Sequence, residues 1–341
     1  MYFIRKYILD VGAPVDFESV PKGELISLDK LLDEDIIIKR YTFKENNLRF
    51  NIKKNNKEDS NQAVFAIFNP SKSFISFLNA NQGDKMAVRF YAGYEDNVKE
   101  MFSGTLSFFS DTFKGEDRIV ELACNQGAVQ WQEARTKRTF NAGTSYQEIV
   151  DSFIADMKVI KDGVMPFEGS IPVARTYNGP TCPLLKELVN DMNASFTIDD
   201  GNSIQIVEKD KHREEVYIPV VTKENGLIGD VDMWDDNADT KPKDKSKKKT
   251  GYKAKVFLDG GYKINTAIYL ESRTVNSGER TKFKVEKVEH TGEYRGESWE
   301  TVLYLKGDTA PQENPSSGLP EVGAEDIVIN GVTKPVTIRV R

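Results

Sequence analysis

Residues 62–71 read QAVFAIFNPS and residues 83–94 read GDKMAVRFYAGY. Val64 to Phe68 is a compact apolar run, and Asn69-Pro70-Ser71 stops it with a strong turn signal. In the second stretch Met86, Val88 and Phe90 alternate with Ala87, Arg89 and Tyr91, the period of a half-buried strand, and Gly93 closes it. Further on, Met101 and Phe102 lead into Gly104, and Leu106, Phe108 and Phe109 follow. Ile119 to Cys124 is another short apolar strand. Short strands at near-regular spacing, with turns between them, predict a small antiparallel barrel or sandwich over residues 1–130.

The period then changes. In residues 144–157, TSYQEIVDSFIADM, Ser145 and Glu148 fit a capping box. Tyr146, Ile149, Val150, Phe153, Ile154 and Met157 recur at helical spacing after it. A second helix is expected from about Thr181, with Pro183 in its first turn and Leu184, Leu185, Leu188, Val189 and Met192 as its buried stripe. Phe196 and Ile198 alternate, Asp199-Asp200-Gly201-Asn202 turns, and Ile204 and Ile206 alternate again, which predicts a hairpin. Residues 131–213 therefore read as a small α+β insert.

Strands resume at Val216–Val221, Ala254–Leu258, Tyr262–Ile264, Ala267–Leu270, Thr281–Glu289 and Trp299–Leu305. They predict a second β-barrel or sandwich over residues 214–307. Within it, residues 230–253 hold five aspartates (Asp230, Asp232, Asp235, Asp236, Asp239) before Lys241, Lys243, Lys245, Lys247, Lys248 and Lys249. Few apolar residues there offset chain entropy, so a mobile loop is expected. Pro311, Pro315 and Pro320 mark residues 308–341 as an extended tail, with strand-like pieces at Ile327–Ile329 and Val336–Val340 about Asn330-Gly331. The expected fold class is mainly β with an α+β insert: two β-barrels flanking a small α+β domain.

Composition narrows the function. The 341 residues are 39% hydrophobic, enough for real cores, so wholesale disorder is excluded. Lysine and arginine number 47 against 53 acidic residues, a net charge of −6, so no global basic surface for nucleic acid exists. Two cysteines rule out a disulfide scaffold, and two histidines rule out a three-histidine metal site. Met1 to Gly12 carries Arg5 and Lys6 and lacks the apolar core of a signal peptide. No stretch approaches the roughly 20 apolar residues of a membrane span. These features predict a soluble protein made in the cytosol, without membrane insertion of its own.

Chemistry-bearing residues are scattered. There is no G-x-S-x-G, phosphate loop or dinucleotide fingerprint. Cys124 ends an apolar strand and reads as a small buried hydrophobe. Cys182 starts a helix, where a thiol pKa can fall, but one position is not a constellation. His290, in HTGEYRGESWE, lies beside Glu289 and Glu293, which could pair with an imidazolium; it reads more simply as a turn histidine. His212, in KDKHREE, reads as a solvated surface residue, and Asp199 and Asp200 as turn residues. The run GDVDMWDDNAD has a faint likeness to a calcium loop, but Trp234 stands where an oxygen ligand belongs and position 235 is not glycine. The lysine run lacks interleaved aromatics and reads as a solubilising loop. No catalytic residue, metal ligand or cofactor is assigned.

The ordered pieces resemble the central hub proteins of contractile phage tail baseplates, relatives of the phage late-control D family and of the base region of type VI secretion spikes. The resemblance runs from about Leu48 to Gly307. It lies in the collinear series QAVFAIFNPS, GDKMAVRFYAGY, Phe102-Ser103-Gly104, DRIVELAC leading to Trp131, TSYQEIVDSFIADM, LLKELVNDMNASFTIDDGNSIQIV, Asn225–Val231 and HTGEYRGESWETVLYL. The lysine-rich loop and the Pro-rich tail depart from that pattern.

The resemblance implies a virion structural protein with no enzymatic role. Such hubs are homotrimers in which each subunit gives two similar tube-type barrels, so three copies make a pseudo-sixfold ring. The ring would meet the sixfold tail tube on one side and the threefold puncturing spike on the other, beside other baseplate proteins. Genomic DNA would pass without specific binding, and an acidic chain suits an acidic lumen. Two other classes remain open: a tail-associated cell-wall-degrading enzyme, and a carbohydrate-binding β-sandwich module.

Overall fold

The computed structural model describes residues 4–12, 40–55, 61–82, 86–95, 97–209, 211–213, 217–235, 250–307, 328–329 and 332–333. The chain is mainly β, with large antiparallel sheets and a few helices. The first β unit contains β1 (Arg5–Gly12), β2 (Arg40–Phe43), β3 (Leu48–Asn55), β4 (Gln62–Phe68), helix α1 (Lys72–Ala80), β5 (Ala87–Tyr94), β6 (Asn97–Lys114) and β7 (Asp117–Asn125). Alternation sets its inside and outside. Leu48, Phe50 and Ile52 point into the core, as do Val88 and Phe90, and the residues between them are more exposed. Phe50, Phe65, Phe90 and Phe102 meet at the centre of this cluster, with ring centroids 4.6 to 5.9 Å apart.

The turn at Asn69-Pro70-Ser71 does more than stop a strand. The Ser71 hydroxyl accepts from the Phe74 N–H at 3.2 Å and caps α1, whose Phe74, Ile75, Phe77 and Leu78 are buried. β6 and β7 form a hairpin that outruns its neighbours. β5 pairs with β6 only as far as Thr105, whereas β6 and β7 stay paired out to Lys114 and Asp117. Phe108 and Phe113 on that arm are 65% and 69% exposed.

The insert follows: α2 (Ala128–Glu133), β8 (Arg135–Phe140), α3 (Tyr146–Met157), β9 (Ile160–Val164), β10 (Arg175–Pro180), α4 (Thr181–Asp191), β11 (Ala194–Asp199) and β12 (Ser203–Glu208). The Ser145 hydroxyl accepts from the Glu148 N–H, the capping contact expected of α3. β11 and β12 pair antiparallel about Gly201, which adopts φ 70°, and β9 joins β12 in parallel. α3, α4 and one face of this sheet enclose a second apolar cluster that includes Phe153, Leu185, Phe196 and Ile206. No helix among the described residues is long and apolar enough to cross a membrane.

The last strands of the body are β13 (Val220–Val221), β14 (Asp232–Asp235), β15 (Thr250–Phe257), β16 (Ala267–Leu270), β17 (Thr281–Glu293) and β18 (Trp299–Gly307). They enclose a third cluster, with Val256, Ile268, Val285 and Leu303 at its centre. The two β units are not separate sheets. β17 pairs antiparallel with β3, from Lys287 opposite Asn55 to Glu293 opposite Arg49, giving one sheet ordered β14-β15-β18-β17-β3-β4-β7-β6-β5-β1-β2. Leu258 and Trp299 from the second unit also enter the first cluster.

Three sequence expectations need correction. Residues 230–253 are not a loop throughout, because β14 pairs with the start of β15, Met233 opposite Tyr252. Residues 236–249, with the lysine run, lie outside the described residues. Tyr262 to Ile264 is not a strand, although Ile264 is buried. Of the expected 216–221 strand, residue 216 lies outside the described residues, and of 217–221 only Val220–Val221 form a strand, paired in parallel with β16. Contact density separates the body, Met1–Asp308, from Thr309–Arg341. In the latter, β19 (Val328–Ile329) pairs antiparallel with β20 (Val332–Thr333). The strand-like piece at 336–340 lies outside the described residues.

Candidate functional site

The densest buried polar chemistry lies where the insert meets the sheet. The chain leaves β7 through Gln126 and Gly127. Gly127 has φ 70°, a backbone shape that favours glycine, and a Cβ there would crowd the Ile198 side chain at 3.1 Å. The Gln126 side chain accepts from Asn61 Nδ2 at 2.8 Å and donates to the Ser103 carbonyl at 3.1 Å. The Gln130 amide donates to Asn202 Oδ1 at 2.6 Å, and Asn202 donates to the Lys158 carbonyl at 3.0 Å. These contacts tie the strand exit, α2 and the β11–β12 turn together.

Beside them is a buried ion pair. Lys54 Nζ lies 3.4 Å from Asp199 Oδ1, with side-chain exposures of 6% and 3%. His290 is 1% exposed, and its Nδ1 is 2.9 Å from Thr301 Oγ1 on β18. Burial drives the His290 pKa down to about 3, the Lys54 charge pushes the same way, and Asp199 opposes both. The imidazole is therefore neutral at pH 7.

Strand alternation separates His290 from its sequence neighbours. Glu289 faces the other side of β17, 2.7 Å from Lys287 and within 3.0 Å of the Tyr304 hydroxyl. Burial alone would raise its carboxyl pKa, but Lys287 and Tyr304 outweigh it and hold it low. Glu293 meets Arg5 through its backbone carbonyl, at 2.9 Å, and Arg5 lies 5.5 Å above the Trp299 ring.

The remaining sequence candidates fall elsewhere. Cys182 is buried with Sγ 3.4 Å from Met157 Sδ, and burial pushes its thiol up to about 12, so the helix start does not activate it. Cys124 is buried in the first core, and burial raises its thiol as well. His212 is half-buried rather than solvated, its Nδ1 2.9 Å from the Arg213 carbonyl oxygen. Asp199, expected as a turn residue, instead ends β11 and is buried against Lys54. Asp232 lies in β14. Among the described residues no group of three or more His, Cys, Asp or Glu is placed to hold a metal ion. What the junction brings together is a charge pair, a neutral imidazole, a hydroxyl and side-chain amides. Their directional bonds fix position.

No known protein-family model matches the sequence, and no curated protein does. Solved structures do. A tail protein from Neisseria meningitidis superposes with a TM-score of 0.55 at 11% identity, over 89% of this chain and 97% of that one. The chain shares the fold of phage tail proteins. A 43 kDa tail protein of prophage MuSo2 from Shewanella oneidensis gives a TM-score of 0.54 at 7% identity, over 79% of this chain and 94% of that one. An Escherichia coli component of the type VI secretion system, itself structurally similar to two bacteriophage T4 tail proteins, gives 0.53 at 8% identity over 77% and 73%.

Proposed function

We propose that the chain is a structural component of a phage or phage-like tail, and within it the baseplate hub that joins tube to spike. The observation that carries this reading is the pair of antiparallel β units, joined through β3 and β17, in a fold shared with tail proteins along most of the chain. On this reading the functional divisions are a first tube-like barrel, residues 1–130, the α+β insert, 131–213, a second barrel, 214–307, and the tail, 308–341. Three copies close into a pseudo-sixfold ring that matches the sixfold tube and receives the threefold spike. Its partners are itself, the tube protein, the spike and other baseplate proteins, and it resides in the virion tail. The likeness to a chain of a Francisella PdpA–VgrG complex, with a TM-score of 0.53 at 5% identity over 90% of this chain and 53% of that one, supports a place in a multi-component assembly.

The role is non-enzymatic. A net charge of −6 favours passage of DNA over its capture. The test is mass and symmetry. Purified with its tube and spike proteins, the chain is expected to elute as a trimer and to image as a threefold ring with six similar lobes. A monomer in both the presence and the absence of those partners overturns the hub. Clearing of cell-wall preparations by the purified chain would instead favour the enzyme.

A further inference from the structure

The sheet formed by β11 and β12 is buried on both faces, and the two faces differ in chemistry. One face presents Phe196, Ile198, Ile204 and Ile206 to the insert's own apolar cluster. The other presents Ser195, Thr197, Asp199, Ser203 and Gln205, with Val207 as an apolar member. Asp199 on this polar face meets Lys54 of β3. Just beyond β12, the Lys209 carbonyl accepts from the buried Lys284 Nζ of β17 at 2.9 Å.

Between these two ties lie further buried polar groups. Thr197 and Gln205 face each other across the strand pair, at 4% and 0% exposure. Thr197 Oγ1 and both amide atoms of Gln205 have no hydrogen-bond partner among the described residues. Buried polar atoms are almost always satisfied, and where protein does not do it ordered water does. A water-bridged polar face also parts more cheaply than an apolar one, because its groups regain water on opening. The insert thus has an apolar interior of its own and a polar attachment to its neighbour.

We propose that the insert opens from the β body as a unit along a hydrated polar seam at Thr197 and Gln205, with the Lys54–Asp199 pair as its latch. Removing one partner of a buried pair strands the other charge and strongly weakens the contact. Hydrogen exchange on the full chain, followed by mass spectrometry, tests this. Amides of α3, α4, β11 and β12 are expected to exchange together and faster than those of β4 and β7. Asp199→Asn is expected to speed the insert's exchange on the order of a hundredfold while leaving β4 and β7 unchanged. Should Asp199→Asn not fold, Thr197→Val with Gln205→Leu reads the same seam in the opposite sense: a drier, apolar contact slows insert exchange selectively. A common rate for insert and body, in the natural protein and in whichever variant folds, overturns the proposal.

Discussion

His290 couples the buried junction to pH. Its folded-state pKa of about 3 lies below the ordinary histidine value of 6.5. Between those values the unfolded chain binds more protons than the folded one, so stability falls as pH falls. The contribution is complete above about pH 6.5 and is lost toward pH 3, with a slope of about 1.4 kcal/mol per pH unit. Denaturant titrations at pH 7 and pH 5 should differ by on the order of 2 kcal/mol from this group, and His290→Gln should remove that share of the difference. An unchanged pH slope in the variant would show that other groups carry it. The residues of this junction were only partly legible in sequence. His290 stood out, but its neighbours in the chain are not its partners, because alternation sends Glu289 to the opposite face. Lys54 did carry a readable signal: it follows Leu48, Phe50 and Ile52 at the inward period of β3. Asp199 carried none, since a carboxylate before Gly201 suits a turn just as well.

At the scale of elements, helix ends and strand periods were the readable part. Ser145 announces α3, and Ala267–Leu270 is a strand over the bounds expected from sequence. Helix α1 was hidden behind the strong turn at Pro70, because nine residues are too few to show a clear period. Its capping hydroxyl makes a simple prediction: Ser71→Ala should cost about 1 kcal/mol, measured by denaturation. Phe74→Ala should cost far more, about 3–5 kcal/mol, because the ring packs against Phe43 at 4.8 Å and Tyr41 at 5.2 Å. Equal effects of the two changes would show that the α1 face does not anchor the core. Strands β8, β9 and β10 also escaped sequence reading. Arg135, Lys137, Arg138 and Thr139 are exposed, so β8 lacks the apolar alternation that reveals a half-buried strand.

The whole molecule turns on the joint between β3 and β17. No local pattern could announce it, since its partners lie in the first and last parts of the body. Gly292 sits within it, where a Cβ would fall 2.5 Å from the Phe50 ring and 2.7 Å from Trp299. Gly292→Ala is therefore expected to destabilise by about 1–3 kcal/mol through overpacking, with exchange protection lost in both β4 and β18. Loss confined to β18 would mean that the two units are energetically independent. The joint also orders events at the ribosome. β3 emerges early and finds β4 within a few residues, but its other side has no mate until most of the chain has been made. At synthesis rates of about 5–20 residues per second, that wait lasts on the order of ten seconds or more. During it the nascent chain carries a bare strand beside a half-assembled core, which is a surface for chaperones and a hazard for premature release.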